Sequence, residues 1–439
     1  MAHRIGLRAA LACVALAFLH CAALADGLPV VTPERAGMSS ERLGRIDQVL
    51  NVEIDKGNIP GAVVLVCRRG QLVYAGQFGF LDRARGIGMR EDAIFRIYSM
   101  TKPLVSVAAM ILVEEGRMQL TDPVSKHLPK LGKPSVSVAK ADPEFARVSY
   151  TTAAADREMT VQDLLRHTAG LAYGEITANA PIKEAYARGG LFQPGGPDYD
   201  LRALTPEAEV DAIAAAPLAH QPGTVWEYSV ASDLLGRVVE AVSGERLGDF
   251  LRERLFAPLH MADTGFLVPP DSLGRVAEPL ANDPSTGKPN RLVDVSQTPA
   301  NDSGGAGGVS TALDYLRFGL MLLNGGELDG TRILSRTTVN LMTSDQLGTR
   351  ITVAASPGEL LLGTPGYTFG LGFAVRQGPG IAAVPGSTGE YMWGGYAGTY
   401  FWVDPKEELV GVYMSQATGP MRPYYRRLVK QLVYQSIVD

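Results

Sequence analysis

Ser99-Met100-Thr101-Lys102 is the segment whose residue types and spacing most directly suggest chemistry. A serine hydroxyl is too weak a nucleophile unaided and needs a neighbouring base. On a helix, positions three apart share a face, so Ser99 and Lys102 are expected within mutual reach. The run that follows, from Leu104 to Val113, is apolar on nearly every side, as in a central buried helix. Burial disfavours an ammonium, so a lysine against such a helix gives up its proton cheaply and can serve as the base. The helix N-terminus adds a positive field and free N–H groups near Ser99. Pro103 suits a first turn, where a missing N–H costs least. The same spacing recurs at Ser137-Val138-Ala139-Lys140, between Pro134 and Pro143. No apolar helix stands behind that copy to desolvate its lysine, and it reads as a chance match.

The elements that must position Ser99 are a helix over 104–115 and a short extended approach over 93–97. Upstream, a helix is expected over 40–56, then strands over 61–67 and 71–78 joined by Arg68-Arg69-Gly70, a hairpin signal. Helical periodicity covers 161–166, 206–215, 232–242, 247–255 and 313–323. Residues 130–157 and 272–298 read as long irregular connections. Strand-like runs return at 389–393, 399–403 and 409–415, and an amphipathic helix over 423–438 closes the chain. This order predicts an α+β fold: one antiparallel sheet built from both chain ends, flanked by helices, with an all-helical lobe inserted between them.

The 439 residues, 46% hydrophobic and 20% charged, exclude a disordered or collagenous chain and supply a large core. A net charge of −5 gives no electrostatic case for nucleic acid. Arg4 and Arg8, the apolar stretch 9–19 and Ala23-Leu24-Ala25 read as a signal peptide over 1–25, so the mature chain, 26–439, is expected to be exported, periplasmic or secreted. No later segment has the ~18 uninterrupted apolar residues of a membrane span. Only Cys67 then remains, inside the apolar run 62–67, as a buried strand residue. The pattern contains no zinc motif, and neither a metal nor a cofactor is expected.

Ser99-x-x-Lys102 opening an apolar helix, with Tyr228-Ser229-Val230 downstream, resembles the serine β-lactamase and penicillin-binding-protein superfamily. The resemblance is to its class C β-lactamase-like branch, including the family VIII carboxylesterases. It extends over most of the mature chain, through Ile59-Pro60-Gly61-Ala62, the block from Leu164 to Leu171, Gln221-Pro222-Gly223-Thr224, the glycine-rich block from Ser303 to Gly308, and Trp393-Gly394-Gly395. It implies a β-lactamase/transpeptidase-like fold, with an α/β lobe from about 26–98 and 300–439 and a helical lobe over about 99–299. It also implies that Ser99 is acylated, that Lys102 is its base, and that Tyr228 is a second proton-transfer group whose phenolate the lysine ammonium favours. The N–H groups of Ser99 and Tyr396 would form the oxyanion hole.

Two departures from the family pattern bear on substrate. Tyr-x-Asn ends here in Val230, and the strand that carries Lys-Thr-Gly or His-x-Gly in relatives carries Trp393-Gly394-Gly395. Trp393 cannot bind the carboxylate of a β-lactam or peptidoglycan stem, and Trp-Gly-Gly resembles the esterase branch. Gly394 and Gly395 would let substrate lie against the backbone, and Tyr173 would line the cleft. His167 reads as part of a structural turn, and the glycines from Gly304 to Gly308 as a turn into the next helix. A full Gly-x-Ser-x-Gly, the α/β-hydrolase signature, is missing; Gly308-Val309-Ser310-Thr311-Ala312 is a near miss. The expected activity is hydrolysis of a small-molecule carboxylic ester through an acyl-enzyme. A β-lactamase or D-Ala-D-Ala-type peptidase, or a non-catalytic binding protein on the same scaffold, are the alternatives.

Overall fold

The computed structural model describes residues 28–142 and 147–439; the signal-peptide expectation over 1–25 lies outside them. Helix α1, Arg45–Asp55, buries Ile46, Leu50 and Ile54, one per turn. Strands β1, Gly61–Arg68, and β2, Gln71–Asp82, form the expected hairpin. Its turn residues Arg69 and Gly70 both have positive φ, which suits the twist of a tight hairpin. The short β3, Ile87–Gly88, follows, and then α2, Thr101–Glu114, buried from Thr101 to Leu112.

Residues 130–157 are not an irregular connection. They contain a two-stranded hairpin, β4, Ser135–Asp142, and β5, Arg147–Ala154, so the inserted segment is not purely helical. On a strand, positions three apart face opposite sides. Ser137 is accordingly buried, donating to Asn179 Oδ1 at 3.1 Å, while Lys140 points to solvent. The second Ser-x-x-Lys therefore places no lysine beside its serine.

Helix α3, Ala231–Ser243, packs on α2, and α4, Ala312–Leu323, packs on the main sheet. The last strands are β6, Tyr367–Phe369; β7, Ala374–Arg376; β8, Tyr391–Gly394; β9, Tyr400–Asp404; and β10, Leu409–Ser415. Helix α5, Arg422–Tyr434, closes the fold. The sheet has eight strands in the order β6-β7-β8-β9-β10-β1-β2-β3, antiparallel throughout. Both chain ends thus build one sheet, as their order in the sequence requires. Central β1 is buried along its whole length, and burial pushes the Cys67 thiol up to about 12. Among the described residues, no helix is long and apolar enough to cross a membrane.

Helix α5 is pinned to this sheet by charge. Lys430 and Glu390, both fully buried, bond through two contacts of 2.7 Å, and Glu390 also accepts from the hydroxyls of Tyr367 and Tyr434. Glu390→Ala would strand the Lys430 ammonium in the core, at a cost of about 3–5 kcal/mol. A markedly lower urea midpoint is the expected result; an unchanged midpoint would show the pair to be dispensable.

Candidate active site

Ser99 sits in a single 3-10 turn, Tyr98–Met100, at the mouth of α2. Its approach, Phe95–Arg96, pairs antiparallel with Val309–Ser310. Tyr98 is held in the left-handed region at φ 44°, a conformation that costs a bulky residue roughly 1–3 kcal/mol. The surroundings impose it. Tyr98 Oη accepts from the Val293 N–H at 3.0 Å, and Thr101 Oγ1 donates to the Tyr98 carbonyl at 2.6 Å.

This backbone sets the Ser99 hydroxyl between two proton-carrying groups. Tyr228 Oη donates to Ser99 Oγ at 2.5 Å, and Lys102 Nζ lies 3.3 Å from the same oxygen. Lys102 Nζ also donates to the Gly305 carbonyl at 2.7 Å and to Tyr173 Oη at 2.9 Å. Gly305 is required by close approach: a Cβ there would lie 2.1 Å from Asp233 Oδ2. Asp233, in the first turn of α3, accepts from Ser303 Oγ at 2.6 Å and from the Gly305 N–H at 2.8 Å. The glycine run from Gly304 to Gly308 is thus more than a turn into α4, because it supplies the acceptor that fixes the lysine.

Burial pulls Lys102 down to about 7, against the opposing pull of Asp233 and Glu175. A neutral Lys102 keeps two N–H bonds for Gly305 and Tyr173 and can turn its lone pair to Ser99. Tyr228 behaves differently from the sequence expectation. Burial pushes its phenol up, and the Ser99 hydroxyl and Trp393 indole only partly oppose this. The phenol therefore stays protonated. Lys102 is thus the group here that can accept a proton, and Tyr228 a hydroxyl that can donate one.

The other anticipated residues fall close by, with altered parts. Tyr173 does not line the cleft: its ring is buried behind the site, and its hydroxyl bridges Lys102 toward Asp233 Oδ2 at 3.5 Å. Trp393 is fully buried, its ring centroid 5.5 Å from that of Tyr228. Beyond Met392, β8 pairs only with β9, which leaves the other edge of Trp393 and Gly394 unpaired among the described residues. The two glycines border the slot above Ser99, but packing rather than substrate explains them. A Cβ at Gly394 would lie 2.9 Å from the Arg426 guanidinium carbon, and one at Gly395 would lie 2.2 Å from the Ile97 carbonyl oxygen. Ser99 and Tyr396 border the same slot of about 70 Å3. Among the described residues, neither of their N–H groups is engaged by a backbone carbonyl. His167, kept neutral by burial, packs at a tilt against Tyr228, ring centroids 5.2 Å apart, and shares a hydrogen bond with Ser229 at 3.2 Å, as a structural residue would.

Sequence reasoning missed the rest of the wall. Ile176, Tyr199, Leu360, Arg422 and Arg426 also line the slot. They arrive from loops, from the short helix Pro357–Leu362 and from α5, and no local pattern marks them. Arg422 donates to the Tyr396 carbonyl at 2.7 Å, and Arg426 to that of Gly395 at 2.6 Å. The cations near Ser99 therefore come from α5, not from the strand that carries Trp393, and both are tied to backbone.

A buried serine–lysine pair under a second hydroxyl, at the mouth of an apolar helix beside an antiparallel sheet, defines a nucleophilic hydrolase site. The β-lactamase family model matches residues 46–434, and the chain belongs to that family. Esterase EstB of Burkholderia gladioli is 31% identical over 381 residues, 82% of this chain and 86% of its own. Among solved structures, EstCE1, "a hydrolase with promiscuous acyltransferase activity", superposes with a TM-score of 0.72 at 30% identity, over 90% of this chain and 99% of its own. Simvastatin synthase (LovD) from Aspergillus terreus shares the fold, with a TM-score of 0.72 at 22% identity over 90% and 98% of the two chains. The protein is a serine hydrolase of the β-lactamase fold.

Proposed function

We propose that the protein is an exported carboxylesterase that works through an acyl-enzyme on Ser99. One observation carries this reading: Ser99 Oγ is shared by Lys102 Nζ at 3.3 Å and Tyr228 Oη at 2.5 Å. Lys102 takes the hydroxyl proton as Ser99 Oγ bonds to the ester carbonyl carbon. The carbonyl oxygen, now negative, faces the N–H groups of Ser99 and Tyr396. Collapse breaks the bond to the alcohol oxygen, which leaves with the Tyr228 proton, and the Lys102 ammonium beside the phenol returns its proton directly to the phenolate. Water then attacks the acyl-enzyme by the same steps in reverse and frees the acid.

Esters are favoured over β-lactams. Trp393 supplies no charge where other branches place a cation. The relatives EstB, an esterase, and EstCE1, a hydrolase, point the same way. Purified protein is expected to turn over p-nitrophenyl butyrate with a kcat/KM at least ~100-fold above that for nitrocefin, since each tenfold step is only 1.36 kcal/mol of barrier. The opposite order would move the assignment to β-lactam hydrolysis. Export rests on the charged and apolar pattern over 1–25; protein recovered with its first residues intact, uncleaved near Ala25, would refute it.

A further inference from the structure

Tyr228 is a wall of two spaces at once. One is the slot of about 70 Å3 above Ser99; the other is a cavity of about 400 Å3 on its far side, and Ile176 and Leu360 border both. Building on the esterase reading, we infer that this larger cavity receives the alcohol half of the substrate, and that this alcohol is bulky and apolar.

The direction follows from where the proton must go. The leaving oxygen has to come within hydrogen-bond reach of Tyr228 Oη to collect its proton, while the carbonyl oxygen turns toward Ser99 and Tyr396. The substituent on the leaving oxygen therefore departs past Tyr228, on the side where the 400 Å3 lies. That volume falls in the range of ordinary small-ligand sites, roughly 300–1,000 Å3. The chemistry follows from the walls. Ile176, Ala219, Val225, Trp226 and Leu360 are apolar; of the polar residues there, His220 and Glu227 bond each other at 2.5 Å, and Asn179 is engaged by Thr177 and Ser137. Ile176 is 50% and Leu360 37% exposed, so apolar surface continues from the slot to the cavity and lies open to water until something covers it.

The test separates alcohol bulk from acyl bulk at matched leaving-group basicity. Ethyl acetate, 2-cyclohexylethyl acetate and ethyl 3-cyclohexylpropanoate are compared by kcat/KM, with p-nitrophenyl acetate as the check on the esterase reading. The expected result is at least ~10-fold preference for 2-cyclohexylethyl over ethyl acetate, the scale on which apolar pockets discriminate, with no such gain for the bulky acyl ester. Ala219→Phe, which fills the cavity, should lower that ratio at least ~10-fold. Ile176→Asp, at an exposed position where folding is not at stake, should lower it as well. A flat ratio in the wild type, a gain on the acyl side instead, or a ratio that neither variant changes would overturn the assignment while p-nitrophenyl acetate is still cleaved. Loss of that cleavage too would bring down the esterase reading with it.

Arg426 bears on the other half of the site. It is buried, and its Nη2 donates to the Gly395 carbonyl at 2.6 Å, which also accepts from the Gly398 N–H at 3.1 Å, while its remaining bonds go to the Leu361 and Thr399 carbonyls. The Gly395 carbonyl and the Tyr396 N–H are the two ends of one planar trans peptide and point in opposite directions. A cation on the carbonyl therefore both fixes that plane and strengthens the N–H as a donor toward the slot. We propose that Arg426 is a positioning residue for the Tyr396 half of the oxyanion hole. Arg426→Lys keeps a charge and Arg426→Gln only a neutral donor, so kcat should fall in that order, by about 10- to 100-fold for glutamine, with KM within about twofold. Isotope-edited infrared spectra of a slowly deacylating ester on Ser99 should show the acyl carbonyl band at higher frequency in Arg426→Gln. An unmoved band, or a loss explained by fewer fluorophosphonate-titratable sites, would refute the role.

Discussion

Ser99→Ala is expected to lower ester turnover by about 10^4-fold or more and to abolish labelling by a fluorophosphonate probe. Removing the nucleophile of a comparable serine hydrolase costs on this scale, because base and oxyanion donors then have nothing to activate. The fold should survive. The serine hydroxyl accepts from Tyr228 and Lys102, and losing one such acceptor costs about 1–3 kcal/mol. The Lys102 amine keeps its bonds to Gly305 and Tyr173. Circular dichroism should therefore match the wild type while activity vanishes. Ser137→Ala is the control, since its lysine neighbour points away on a strand. Activity in Ser99→Ala above a tenth of the wild-type rate would displace the nucleophile from this position.

The parts of this site that were legible in the sequence are those that local geometry fixes. Ser99 and Lys102 could be read together because a helix turn brings positions three apart to one face, and the apolar run behind them announced the desolvation that lowers the lysine. Tyr228 carries no such local signal. Its place came only through the resemblance, as its ring reaches Ser99 from the loop before α3. The Gly305 carbonyl is invisible to residue type, since any residue has one; only the 2.1 Å approach of Asp233 reveals why glycine stands there. Burial decided the remaining differences. Tyr228 was expected as a phenolate from its neighbour's charge, yet its enclosure among Trp393, His167 and Tyr173 pushes the phenol up. The β4–β5 hairpin escaped notice because its valines build no continuous buried face: Val136 is buried, but Val138 and Val148 are 42% and 55% exposed. The sheet order was clearer, because β1 and β10 are apolar runs that only a central position can bury.

Lys102→Met should reduce acylation by about 10^2- to 10^4-fold, the usual worth of a general base, while leaving a folded protein. Methionine fills similar space in an apolar setting, and the bonds lost to Gly305 and Tyr173 are partly offset by removing a buried amine. Lys102→Arg decides what the lysine does. A guanidinium stays protonated, so arginine can replace a cation but not a base; it should be as inactive as methionine. The pH dependence gives the same answer independently. With Lys102 drawn down to about 7 by burial, its neutral form is the minority below that pH and the majority above it. Wild-type kcat/KM should therefore rise about tenfold per pH unit through the acid range and level off above about 7. Tyr228 adds no limb nearby, because burial moves its phenol upward, away from that range. In Lys102→Met the residual rate should lose the acid limb altogether. If the limb persisted in that variant, or if arginine restored the rate, the proton would be travelling to some group other than this amine.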